Sequence, residues 1–135
     1  MPELPEVETV RAIIARELPG RTVSGTTFGA FPGVVGDVTP DTFAAMVTGR
    51  TFGEPERRGK YLLLPLDDDT SLVVHLRMTG RLLVLSSAAP PARFEHLAIH
   101  LDNGNDLRFA DQRKFGRVLH VPFDDARAHL DTRLG

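Results

Sequence analysis

Residues 60–77, KYLLLPLDDDTSLVVHLR, place two apolar runs of strand length on either side of an acidic turn, and their reading decides the fold. The spacing predicts strands over 60–66 and 71–77, with Asp67-Asp68-Asp69-Thr70 supplying the turn between them. Strand alternation in the second run sets Val74, Leu76 and Met78 on one face and His75 and Arg77 on the other. Met78 then stands at the exposed end of the strand, beside the turn residues Thr79 and Gly80.

The same pattern continues outward in both directions. Strands are predicted over 22–28, 50–57, 81–86, 95–102, 106–110 and 117–121, with turn signals at 78–80 and at Asn103-Gly104-Asn105. Two helices flank them. Pro5 suits a first helical turn, and Val7, Val10, Ile14 and Leu18 recur at three- and four-residue steps until Pro19-Gly20, which predicts a helix over 5–18 docked by its apolar stripe. Thr39-Pro40 offers an N-cap and first-turn pair for a short helix carrying Phe43, Met46 and Val47, closed by Gly49. A further short helix is expected over 124–130, and SSAAPPAR (86–93) reads as a flexible surface loop. The expected class is therefore mainly β with flanking helices (α+β), a two-sheet β-sandwich of about eight strands, or a flattened barrel, carrying an N-terminal helix.

With 135 residues, 41% of them hydrophobic, the chain suits one domain with one core. Cysteine is absent, which excludes disulfides, thiol nucleophiles and cysteine-held zinc, and no apolar run reaches the length of a membrane span. A cytoplasmic location is expected. The net charge of −2 hides an asymmetry: residues 1–56 carry four arginines against eight carboxylates, whereas residues 57–120 carry ten basic side chains against seven acidic ones. That basic stretch also holds His75, His96, His100 and His120, which can donate to phosphates.

Four groups of residues could carry chemistry. Removal of Met1 would make Pro2 a secondary amine with a pKa of roughly 8, able to attack an electrophilic sugar or carbonyl carbon and form an iminium ion. Glu3 and Glu6 follow closely enough to serve as acid and base, although carboxylates in a first helical turn are also favoured by the helix dipole alone. In ERRGKYLLL (56–64), Lys60 fits either a solubilising strand edge or a contact with a phosphate. In VVHLRMTG (73–80), Met78 fits either a core gap or insertion into a base stack. In FADQRKFGR (109–117), Arg113, Lys114 and Arg117 surround Phe115, a mixture suited to phosphate contact plus stacking, or to an ordinary core aromatic.

Taken together and in this order, PELPEVET (2–9), RRGKYLL (57–63), HLRMTG (75–80) and DQRKFG (111–116) make the chain resemble the N-terminal domain of the formamidopyrimidine-DNA glycosylase family, bacterial enzymes that excise oxidised bases. The resemblance covers essentially the whole chain. It implies that Pro2 attacks C1′ of a damaged nucleotide, expelling the base and leaving a Schiff base that permits β- and δ-elimination. Glu3 would act as general acid and Glu6 would position the lesion or water; Lys60 would contact the phosphate and lesion region. His75, His96, Arg113 and Lys114 would bind DNA, and Met78, Arg113 and Phe115 would fill the void left by the flipped base. The implied partner is double-stranded DNA with oxidised bases or abasic sites, met by a monomer that uses no membrane and no metal or cofactor of its own.

Some positions depart from the family pattern. Arg77 stands where the family usually has Gly, Gln112 replaces a frequent Pro, and Lys114 replaces a frequent Arg, keeping charge but not bidentate geometry. The family continues into a helix-two-turn-helix and zinc-finger domain that these residues do not include, so zinc is expected only there. A relative specific for oxidised pyrimidines, or a DNA-binding module without catalysis, would share many of these residues. If Met1 stays in place, the Pro2 nitrogen is an amide and cannot form the iminium.

Overall fold

The structure, a computed structural model, describes residues 4–122. The chain opens with helix α1 (Leu4–Glu17), then strand β1 (Val23–Phe28), a 3-10 turn (Pro32–Val35) and helix α2 (Pro40–Val47). Seven strands follow: β2 (Glu56–Arg58), β3 (Tyr61–Pro65), β4 (Thr70–His75), β5 (Gly80–Ser86), β6 (Glu95–Leu101), β7 (Asn105–Asp111) and β8 (Arg117–Pro122). They form two four-stranded antiparallel sheets, ordered β1-β6-β7-β5 and β2-β3-β4-β8. The expected two-sheet sandwich with flanking helices is what the chain adopts.

The opening hairpin forms as its sequence demands. Tyr61 pairs with His75 and Leu63 with Val73, in a register that sends Leu62, Leu64, Leu72 and Val74 into the main core. The opposite face carries a smaller apolar cluster of Leu63 and Val73 with Tyr61 and Val121. Both faces of β4 are thus covered, which corrects the expectation of one apolar and one polar face. The strand also stops at His75 rather than 77, because Arg77 takes a left-handed φ of 56° and the Gly80 amide closes a turn onto the Leu76 carbonyl at 2.8 Å. Met78 is therefore a turn residue.

The strand expected over 50–57 shrinks to 56–58. Thr51 and Phe52 make only single bridges, to Thr22 and Leu66, because Gly53 and Pro55 interrupt regular pairing. Pro32–Val35 forms an element that no periodicity announced, and it buries Val34 and Val35. The helix expected over 124–130 lies outside the described residues. α1 buries Val7 and Ile14, with Leu18 buried just past its end, and α2 is capped by Thr39, whose hydroxyl accepts from the Thr42 amide at 3.1 Å.

The loop at 86–93 is held from beneath, contrary to the flexible reading. Arg108, 3% exposed, donates to the carbonyls of Ser86, Ala89 and Pro90 at 2.8–3.0 Å and to Asp106 Oδ2 at 3.2 Å. Burial alone would push the Asp106 carboxyl up. Hydrogen bonds from Ser87, His100 and Arg108 overcome this and hold it below the ordinary carboxylate range.

Candidate active site and nucleic-acid interface

α1 packs against β5, β2 and β3, which brings its first turn beside the turn between β4 and β5. An open cleft of about 580 Å³ lies there. Glu6 from α1, Met78, Thr79 and Gly80 from the turn, Arg81 from β5, Arg93 and Phe94 before β6, and Gln112 after β7 line it. Pro2 and Glu3 lie outside the described residues.

Glu8 fixes the orientation of this helix end. Its carboxylate accepts from Arg11 Nη2 at 2.6 Å and from Arg57 Nε at 3.0 Å, tying α1 to β2. The Arg11 hydrogen bonds, followed by the Arg57 one, lower the Glu8 pKa to about 2. β2 leads directly into the two-residue turn Gly59-Lys60, since Arg58 pairs with Tyr61. Lys60, partly exposed, is thus carried by the hairpin that Glu8 holds against the helix.

The segment 112–116 is organised by one buried carboxylate. Asp111, 1% exposed, accepts through Oδ1 from the Thr79 hydroxyl and from the Arg113 amide at 3.1 Å, and through Oδ2 from the Gly116 amide at 2.7 Å. Satisfied amides fix the loop backbone, so its side chains can face outward. Met78 is 53% and Phe115 57% exposed, and Arg113 Nη1 donates to Met78 Sδ at 3.3 Å. Lys114 turns toward Phe31 instead, its Nζ 5.7 Å from the ring centre, while Arg117 approaches the same ring at 5.5 Å.

The two histidines are placed differently from an exposed phosphate ligand. His75, 8% exposed, stacks on Tyr61 with ring centres 4.4 Å apart. His96 is 3% exposed and its Nε2 lies 2.7 Å from the Asp111 carbonyl oxygen, so its visible role is to support the residue that shapes the loop. The sequence reading overlooked Thr79, Arg81, Arg93, Phe94 and Asp111. Asp111 stood inside the DQRKFG block, but nothing in its spacing marks it as the acceptor of three hydrogen bonds. Among the described residues no cluster of three or more His, Asp or Glu could hold a metal ion, and no helix there is long and apolar enough to cross a membrane.

Comparison with known proteins places this arrangement. Residues 1–118 match the model of the formamidopyrimidine-DNA glycosylase N-terminal domain. The chain belongs to the formamidopyrimidine-DNA glycosylase family. The formamidopyrimidine-DNA glycosylase of Chloroflexus aurantiacus is 50% identical over 132 residues, covering 98% of this chain and 47% of the relative. That of Herpetosiphon aurantiacus is 45% identical over all 135 residues and 49% of its own length. A Lactococcus lactis Fpg (MutM) in complex with FAPY-dG containing DNA superposes with a TM-score of 0.87 at 32% identity, over 96% of this chain and 48% of that one. The chain spans about half the length of the curated relatives it matches. Within this glycosylase-family domain, the cleft at the start of α1 and the adjoining Met78–Arg113 ridge are the features that the fold concentrates on one surface.

Proposed function

We propose that the chain is the catalytic half of a bacterial base-excision repair glycosylase and lyase that removes oxidised purines, 8-oxoguanine and formamidopyrimidines, from duplex DNA. The observation that carries this reading is the shared cleft: Glu6, a few residues after Pro2, lines the same space as Met78, whose sulfur contacts Arg113. Those are the groups that base excision from a duplex requires at one place, a carboxylate near the nucleophile to orient the lesion or water and side chains able to replace an extruded base.

The roles follow from their chemistry. With Met1 removed, the Pro2 nitrogen forms a bond to C1′ as the bond from C1′ to the base breaks. The base departs with the electron pair of that bond; Glu3 then protonates the ring oxygen O4′ as the C1′–O4′ bond breaks, and with loss of the amine proton this leaves a ring-opened iminium ion. Loss of a C2′ proton then expels the 3′ phosphate, and a second elimination expels the 5′ phosphate. Glu6 orients the lesion or water, and Lys60 neutralises a nearby phosphate. Met78, Arg113 and Phe115 occupy the gap, offsetting the few kcal/mol of lost stacking. Lys114, and His75 and His96 from within the fold, support the DNA-facing surface. The protein acts as a monomer in the bacterial cytoplasm, with zinc confined to the part of its relatives beyond this length.

Borohydride trapping on a duplex containing 8-oxoguanine, with mass measurement of the N-terminus, tests this. The expected result is a covalent adduct at Pro2 in protein whose Met1 is removed, and none where Met1 remains. DNA binding without any adduct in processed protein, even with the other half of a relative supplied, would replace catalysis by plain binding.

A further inference from the structure

Arg81, Arg93 and Phe94 also line the cleft and have no part in the reading above. Phe94 holds a left-handed φ of 60°, an arrangement that a bulky aromatic residue rarely tolerates. Its surroundings enforce it: the Asp111 amide donates to the Phe94 carbonyl at 3.0 Å, Arg81 Nη2 donates to the Arg93 carbonyl at 3.1 Å, and the Glu95 amide donates to the Ala92 carbonyl at 3.1 Å. Backbone strain fixed by this many contacts points to a task for the side chain it displays. That side chain remains 39% exposed and lines the cleft, with the Arg93 guanidinium 4.8 Å from its ring centre.

Charge and shape agree on the occupant. Arg81 and Arg93 both border the cleft, and among the described residues no carboxylate pairs with either. Among the described residues, three of the four exposed large apolar side chains, Met78, Phe94 and Phe115, lie in the cleft or on the loop beside it. An aromatic face backed by guanidinium groups suits a base stacked on the ring with its phosphate on the arginines. We propose that Arg81, Arg93 and Phe94 form a shelf for an unpaired DNA nucleotide, distinct from the ridge of Met78, Arg113 and Phe115. This rests on the DNA-directed reading above and adds a second stacking site to it.

Fluorescence anisotropy tests the shelf, using a short labelled duplex with one unpaired nucleotide and its fully paired counterpart. The wild-type chain should prefer the duplex with the unpaired nucleotide. Phe94→Asn keeps a residue that accepts the left-handed φ, so the turn survives, and it should weaken binding of that duplex roughly 5- to 150-fold, the range of one base–aromatic stack. Binding of the paired duplex should stay unchanged. Arg81→Gln and Arg93→Gln should each lower the salt slope of binding by about 1. If Phe94→Asn binds both duplexes as wild type does while Met78→Ala weakens binding, the shelf is wrong and the DNA-directed reading stands. If wild type binds neither duplex, both fall.

Discussion

Gly116 and Asp111 set the exposed loop by what they omit and what they accept. A Cβ at position 116 would stand 2.6 Å from Phe109 Cζ and 2.9 Å from the His75 carbonyl oxygen, so the chain can close there only without a side chain. Gly116→Ala should destabilise the fold by about 1–3 kcal/mol, as overpacking does, read as a lower urea midpoint. Asp111→Asn keeps the volume but turns an amide donor toward groups that already donate: the Thr79 hydroxyl and Arg113 amide on one side or the Gly116 amide on the other. A loss of about 1.5–3 kcal/mol is expected, again by urea unfolding. Neither residue shows its importance in the sequence, because both act on backbone groups brought near by β7 and the β4–β5 turn.

At the level of elements, the placement of α1 depends on an ion-pair bridge as well as on its apolar stripe. Glu8 has a folded pKa of about 2 against an ordinary 4.5. The stability it contributes is therefore fully present above the ordinary value and is lost as pH falls toward 2. Glu8→Gln should lower the melting temperature at pH 7 by a small amount, since both partners are partly exposed. That difference should shrink steadily from pH 5 downward and in high salt; a difference independent of pH would show that the bridge is not its source. α2 offers a second check: Thr39→Ala removes the acceptor for the Thr42 amide and should cost about 1 kcal/mol by denaturant unfolding. The α2 start was readable from Thr39-Pro40 because capping is local, whereas the Glu8–Arg57 contact spans 49 residues and no local pattern announces it.

For the whole molecule, charge distribution outweighs charge total. The net charge is −2, yet ten of the sixteen Lys and Arg side chains fall within residues 57–120, which supply the ridge and most of the cleft. Binding to DNA should consequently weaken steeply with salt, with a log–log slope of about −2.7 to −4.5 if three to five phosphates are contacted. Anisotropy titrations between low and physiological salt check this, and a flat response would remove the phosphate contacts from the reading.

What chain order alone established was the list of elements and the ordered family blocks, since strand alternation, helix periodicity, caps and turns are properties of neighbouring residues. The two-sheet class followed, because that many short strands have few ways to bury their apolar faces. Folding in three dimensions decided the rest. It drew Glu6, Met78, Phe94 and Gln112 around one cleft and buried His75 and His96. It also hung three loop contacts on Asp111. Those outcomes depend on which distant segments meet when the sheets pack, and burial and hydrogen-bond partners exist only after that packing is complete.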